Sequence, residues 1–413
     1  MDHQRPSSGW PSVLVQQQAW RTNPDQRGLG GGRPNREDRM LDRIEVELPA
    51  DIARLRLPLE PTTVVRCEEA SRAITSLEED GQHLTALGEL LVRTEAVASS
   101  RIEHVYADLD EVARASLGER ATASAVSTMA SVRALGELTR SCDQGAPLRE
   151  AAILQAHERL LLADPLEGAS AGQYRRQQNW IGGSDFTPRG AIHVPPPHER
   201  VPSLMRDLIE FAARDDLPAM AQAAVVHGQF EAIHPFTDGN GRIGRGIISA
   251  SLRRRGVTRT VVVPVAAAML ADVDTYFHRL QAYRRGDPDA LVGYLADSAL
   301  VAAEAARESA GQLAELRPQW RDAVRPRRGS AVERLLDGLL AAPVLDIARA
   351  EEVTTVSRQR TYQAIDRLVA SEVLSEVTGG GRNRIWVVAD VMTELRTLEE
   401  RIGLRSRPSS RWR

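Results

Sequence analysis

The chain contains no lysine: all 53 of its basic residues are arginine. That bias points to codon composition before function, although guanidinium groups do suit phosphate. Only two cysteines occur, Cys67 and Cys142, far apart and without metal-ligand spacing, which excludes a disulfide framework and a cysteine-built zinc site and fits reduced thiols. Aromatic residues make up 4% of the 413, so the core must be built from Leu, Val, Ile and Ala, a composition that favours helix packing over a sandwich. Net charge is −3, so no global charge advertises a nucleic-acid partner. No apolar run reaches membrane-spanning length and the N-terminus lacks the apolar stretch of a signal peptide. The expectation is a soluble, cytoplasmic protein with no membrane partner.

What the chain does have is concentrated between His227 and Arg245, HGQFEAIHPFTDGNGRIGR. Val226, Phe230 and Ile233 fall at i, i+4 and i+7, one apolar stripe of a helix. Pro235 breaks that helix, Asp-Gly and Asn-Gly form a loop, and a second helix starts near Arg242 with Ile243, Ile247 and Leu252 on its buried side. Gly239 and Gly241 let backbone N–H groups approach an anion, and the helix N-terminus adds free donors and a positive dipole end. Arg242 and Arg245, three apart, can serve one polyphosphate. Asp238 is a hard oxygen ligand suited to Mg²⁺, and His234 is a titratable base beside the loop. Taken singly, each of these residues is ordinary; together in one short segment they make a phosphate site.

This segment resembles the Fic family signature HxFx(D/E)GNGRxxR, complete here as His234, Phe236, Asp238, Gly239, Asn240, Gly241, Arg242 and Arg245. The resemblance implies transfer of AMP from ATP to a hydroxyl side chain of a target protein. In that scheme His234 deprotonates the hydroxyl, Phe236 anchors the loop, and Asp238 holds Mg²⁺. Asn240 serves the α-phosphate region, Arg242 the β- and γ-phosphates and Arg245 the γ-phosphate, with Thr237 in the same nucleotide-binding loop. Upstream, Ser99 and Glu103 are four apart on one helical face. They resemble the inhibitory helix (S/T)xxxE(G/N) of one Fic class, with His104 in place of the small residue. The resemblance implies that Glu103 pairs with Arg245 and so blocks the γ-phosphate position. It leaves open the reverse reaction, removal of AMP with Glu103 orienting water. The target protein is not readable, and a homodimer stays open.

Around these motifs the chain divides as follows. Residues 1–40, rich in Gln, Arg, Gly, Pro and Ser, are expected to be a disordered tail. Residues 41–145 are a helical region carrying the inhibitory helix, and 146–300 the catalytic core. Within that core, Trp180, Ile181, Gly182 and Gly183, a polar tip, then Ile192, His193 and Val194 predict a short β-hairpin. A similar flap in Fic proteins docks the target by adding a strand. His157 is expected to pack in the core. Residues 257–263 are a strand or an extended connection. A helix ends near Leu316 and a basic, Pro-interrupted linker reaches 328. Residues 329–390 resemble a winged helix-turn-helix, with Arg358, Arg360, Arg367, Arg382 and Arg384 as candidate DNA contacts. That raises a different function, a transcription regulator with a nucleotide-sensing body, against a protein-docking appendage. Residues 391–413 finish as a short helix and tail. The fold class is mainly α, with a hairpin flap and a small α+β C-terminal unit.

Overall fold

The computed structural model describes residues 9–22, 33–81, 85–378 and 383–406. In chain order the elements begin with strand β1 (Leu14–Ala19), helix α1 (Arg36–Met40) and strand β2 (Arg43–Leu48). Helices α2 (Pro61–Gly81), α3 (Thr85–Ile102), α4 (Leu109–Ser116), α5 (Ala123–Arg140), α6 (Glu150–Leu161) and α7 (Val201–Ala212) follow. The central pair is α8 (Ala219–Ile233) and α9 (Asn240–Arg254). Next come α10 (Val265–Ala271), α11 (Val273–Arg284) and the 37-residue α12 (Pro288–Val324). The C-terminal unit holds α13 (Ala331–Gly338), β3 (Val344–Asp346), α14 (Ile347–Thr354), α15 (Arg358–Ala370), β4 (Leu374–Glu376) and β5 (Ile385–Val388), and α16 (Ala389–Ser406) closes the chain.

The fold is mainly helical, as composition required, and its centre is α8. From Met220 to Ile233 every residue of that helix is buried, with Ala221, Ala223, Ala224 and Gly228 keeping it thin enough for other helices to close on all sides. Gly228 has no room for more: a Cβ there would meet Leu291 and Tyr283. Helix α9 packs on one side of α8, while α2, α7, α11 and α12 cover the others. Helix α3 lies against α5, α9 and α10, which brings its C-terminal end to the start of α9.

Several expectations fail here for identifiable reasons. Residues 9–22 and 33–40 are not a disordered tail. Strand β1 pairs antiparallel with β2, Leu14 opposite Leu48 and Ala19 opposite Arg43. Trp10 is buried against Phe211 and Tyr283. Composition misled because the partners of this segment lie in distant parts of the chain. Of the two readings open for 257–263 the structure takes the connection, with no strand and with Val261, Val262 and Val263 buried. The basic linker is shorter than expected, because α12 runs through Pro318 to Val324. Proline removes one helical hydrogen bond, but Arg317 and Arg321 pair with Asp337 and Trp320 is buried, so tertiary contacts hold the turn.

In the C-terminal unit, β5 lies between β3 and β4 in an antiparallel sheet packed on α13 to α15. Two of its five candidate DNA contacts are committed inside the protein. Arg367 donates to the carbonyls of Val324 and Arg325, capping α12, and Arg384 pairs with Glu376 at 2.6 Å while lying over the Trp386 ring. Arg358 is exposed beside Glu351 at 3.8 Å, Arg360 is exposed, and Arg382 lies outside the described residues. Among the described residues no helix is long and apolar enough to cross a membrane.

Candidate active site

His234 caps α8 in the left-handed region, φ 49° and ψ 63°, and its N–H still donates to the carbonyl of Phe230. A non-glycine residue stays there only when its surroundings force it. Arg175 supplies much of that force. Its Nε donates to the His234 carbonyl at 2.9 Å, Nη1 to Gln177 and Nη2 to Pro196, and its own N–H donates to Pro235. Burial lowers the Arg175 pKa to about 10, leaving it cationic at neutral pH.

The loop after His234 is pinned from three directions. Phe236 is fully buried and stacks on the His157 ring at 3.7 Å. The Asn240 side chain both accepts from the Phe236 N–H and donates to its carbonyl, each at 2.9 Å, and Asn179 donates to the same carbonyl. His157 Nδ1 accepts from the Gly172 N–H, so Nε2 carries the proton and donates to the Asp238 carbonyl at 3.0 Å. Burial lowers the His157 pKa to about 4, which keeps that neutral tautomer in place. His157 therefore packs in the core, as expected, and also braces the loop. Thr237 donates to Glu167, a tie that holds the loop's flank.

Helix α9 opens directly out of this loop, with Gly239 at φ 77° as its N-cap. Its first turn presents Asn240, Gly241 and Arg242, then Arg245. Arg242 donates to Ser127 and to the half-exposed carboxylate of Asp238, at 3.0 and 3.2 Å. Arg245 is almost wholly buried. Its Nε donates to Ser99 Oγ at 2.8 Å, and its Nη2 to the Ser99 carbonyl at 2.9 Å and to Glu103 Oε1 at 2.7 Å. The Glu103 carboxylate also lies over Gly241, close enough that a Cβ there would collide with Oε1. An acid thus occupies the anion position at the N-terminus of α9. Between Glu95, Ser99, Arg242 and Gly246 only ≈ 10 Å³ of space remains, about what one water needs.

The imidazole of His234 is 15% exposed, lies edge-on to His193 at 6.5 Å, and its Nδ1 is buried without a hydrogen-bond partner. Burial, then the charges of His193, Arg175 and Arg284, push its pKa well below the ordinary value. At neutral pH it is an uncharged ring able to accept a proton. Glu231 stands 3.9 Å from its Nδ1, too far for a hydrogen bond, and burial raises that carboxyl to about 7. Asp238 is the one carboxylate on the loop. Among the described residues no group of three or more His, Cys, Asp or Glu is arranged to hold a metal alone.

The flap is slighter than a hairpin of two strands: one antiparallel bridge joins Ile181 to His193. Gly182 and Gly183 turn at positive φ, Ile192 is exposed, and Trp180 packs edge-on against Trp20. His193 and Val194 face inward. His193 contacts Glu47 and the Ala232 carbonyl, and the Val194 carbonyl accepts from Glu47 N–H at 2.8 Å. Strand β2 has therefore taken the edge beside 193–194, which leaves that edge closed to a docking chain. At the tip, Thr187 and Arg189 both donate to Asp38, a contact the sequence did not advertise.

The chain has a helical fold of the Fic type, with a histidine before a glycine-rich turn that opens a helix. Residues 147–252 match the family model described as Fic/DOC family, and residues 64–138 the one described as Fic/DOC family N-terminal. More particularly, the chain is 33% identical over 149 residues to protein adenylyltransferase Fic of Drosophila willistoni, covering 35% of this chain and 26% of that one. The protein of the same name from Drosophila mojavensis is 32% identical over 149 residues, with the same coverage. The chain thus spans about a quarter of the length of these relatives. A crystal structure of a Fic family protein from Desulfovibrio desulfuricans G20 aligns over 80% of this chain and 97% of its own, with a TM-score of 0.52 and 21% identity, a likeness of fold.

Proposed function

We propose that the protein transfers AMP from ATP to a hydroxyl side chain of a target protein, releasing pyrophosphate, and that Glu103 holds this activity down. His234 takes the hydroxyl proton, the oxygen attacks the α-phosphorus, and the α–β bridging bond breaks. The first-turn N–H groups of α9 with Asn240, Arg242 and Arg245 stabilise the charge that gathers on the phosphates. Thr237, bonded to Glu167, keeps the loop's outer side in place. Asp238 offers one hard carboxylate oxygen, which fits Mg²⁺ because that ion takes its remaining ligands from phosphates and water. When bound, the cation supplies charge neutralisation beside the leaving group.

The observation that carries the reading is the Glu103 carboxylate lying on Arg245 and over Gly241. An acid in a phosphate cradle is a stand-in for phosphate, and its removal frees the cradle. The test is incubation of the chain with ATP and Mg²⁺ and a cell lysate, read as the mass gain of one AMP on a target or on the chain itself. Glu103→Gly raises labelling and His234→Ala abolishes it, the loss of a positioned base being about 10²–10⁴ in rate. Labelling that falls in Glu103→Gly overturns the inhibitory role.

In this reading 146–300 is the catalytic core and 41–145 carries the inhibitory helix. A target strand docks on Trp180 to Gly183, since β2 covers the opposite edge. The C-terminal unit is read as a winged helix-turn-helix, a reading its succession of short helices and strands supports. Exposed Gln359 and Arg360 at the start of α15 support DNA contact there, tested by salt-dependent binding to duplex DNA.

A further inference from the structure

A cleft of ≈ 610 Å³ opens along the N-terminal half of α3, between α3, α5 and the start of the C-terminal unit at Ala341 to Val344. Arg253, near the end of α9, forms its floor, about 20 Å along that helix from Asn240 at 1.5 Å per residue. Arg253 is structurally committed, bonded to Asp143, Thr258 and the Val261 carbonyl. Four other arginines line the walls: Arg93 from α3, Arg133 and Arg140 from α5, and Arg349 from α14. Arg133 and Arg140 are seven apart, two turns on one face.

Arg133, Arg140 and Arg349 are exposed and Arg93 is half-buried, and several exposed arginines elsewhere in the chain do carry partners. Arg66, Arg307, Arg317 and Arg405 are all exposed or half-exposed, and each has a carboxylate within 4 Å. Among the described residues, none of the four cleft arginines forms an ion pair, and none of their guanidinium groups has a hydrogen bond. Burial lowers the Arg93 pKa, and the nearby charge of Glu89 partly offsets that without a direct ion pair. Asp143 is taken by Arg253, and Glu89, one turn before Arg93, also lines the cleft without pairing. Five arginines against two acids, Glu89 and Asp143, leave the lining with an excess of positive charge that favours an anion. The rest of the wall combines apolar Val92, Met129, Val262 and Pro343 with the hydroxyls of Ser116, Thr139 and Thr260. The volume lies within the range of about 300–1,000 Å³ usual for small-molecule sites.

We propose that this cleft binds a small phosphorylated ligand, at a site separate from the motif loop. Guanidinium forks from three helices match the several oxygens of a di- or triphosphate, whereas a single carboxylate would leave most of them unpaired. The concave, half-apolar wall favours a small molecule with an organic body over the backbone of a nucleic acid. One wall is α3, the helix that carries Ser99 and Glu103, and the other is the C-terminal unit, so occupancy ties the two together.

The test is isothermal titration of the full-length chain with ATP and with inorganic tripolyphosphate, without Mg²⁺. The double variant Arg133→Glu/Arg140→Glu changes exposed side chains only, and circular dichroism checks its fold. Arg349→Glu removes charge from the opposite wall should the first variant misfold. Arg242→Ala serves as the control that disables the motif loop. The expected result is binding that survives Arg242→Ala and weakens at least about tenfold in the cleft variants, the loss of one charge-assisted hydrogen bond. ATP tighter than tripolyphosphate assigns a nucleotide-like ligand, and equal affinity assigns the polyphosphate itself. Cleft variants that bind both probes as the wild type does, or duplex DNA that binds the cleft while neither probe does, overturn the proposal. Loss of the event sensitive to Arg242 alone would strike the proposed catalytic reading and leave this one standing.

Discussion

Single buried side chains around the motif carry the sharpest consequences. Glu95 is fully buried on α3 beside Arg245, accepts the Ala266 N–H at 2.7 Å, and burial raises its pKa from 4.5 to about 8. Between those values the folded chain keeps a proton that the unfolded chain has lost. Stability therefore falls as pH rises from about 4.5 towards 8 and levels off above it. Glu95→Gln keeps the acceptor for Ala266 and cannot ionise. Its urea midpoint is expected to change less than that of the wild type between about pH 5.5 and 8.5. Equal slopes would show that Glu95 is ionised in the folded chain. At the same scale the loop was legible from its residue types, because histidine, glycine, aspartate and arginine each declare one chemical ability. Arg175 and His157 were not legible as loop braces. Their partners are main-chain groups of Gln177, Pro196, His234, Gly172 and Asp238, and a carbonyl leaves no mark in a sequence.

Elements show a different division. Helices α8 and α9 followed from apolar spacing and the Pro235 break, and the Ser99–Glu103 face followed from helical geometry. The β1–β2 hairpin did not, since LVQQQA is largely exposed and becomes a strand only through register with Arg43–Leu48. The same distance effect hid the role of Arg367, whose carbonyl partners lie at the end of a helix that Pro318 seemed to stop. The hairpin and α1 hold the flap. Asp38 is almost wholly buried and accepts from Thr187 and Arg189, while Glu37 adds an outer pair to Arg189 at 2.8 Å. Asp38→Ala removes both tip contacts at once. The flap tip is then expected to open locally, and trypsin to cut after Arg189 several-fold faster than in the wild type, read by fragment mass. An unchanged cutting rate would mean that the bridge at Ile181 and His193 suffices to hold the tip.

The whole molecule is closed by its last helix. Helix α12 begins among the core helices α2 and α8 and ends against α13, and α16 then returns along α12 to α10 and α3. Val391, Leu395, Leu398 and Ile402 recur at helical spacing and are all buried. Trp320 donates to Asp390 at 2.6 Å, and Arg101, two residues before Glu103, pairs with Glu399 of α16. The C-terminal unit is thus tied to the body at two ends, through α12 and through α16. Burial of those four side chains contributes on the order of 6–12 kcal/mol at about 1.5–3 each, as much as the whole net stability of a typical domain, about 5–15 kcal/mol. A chain ending at residue 328 lacks α16 and exposes the matching face of α10 and α12. It is expected to lose cooperative unfolding or to aggregate, whereas the full chain unfolds in one calorimetric transition. A truncated chain that stays soluble with an unchanged melting temperature would show that the body folds without its closing helix. Glu399→Ala tests the same closure more gently. By freeing Arg101 it loosens the end of α3, and AMP transfer is expected to rise above wild type but below Glu103→Gly, because Arg245 keeps its bonds to Ser99.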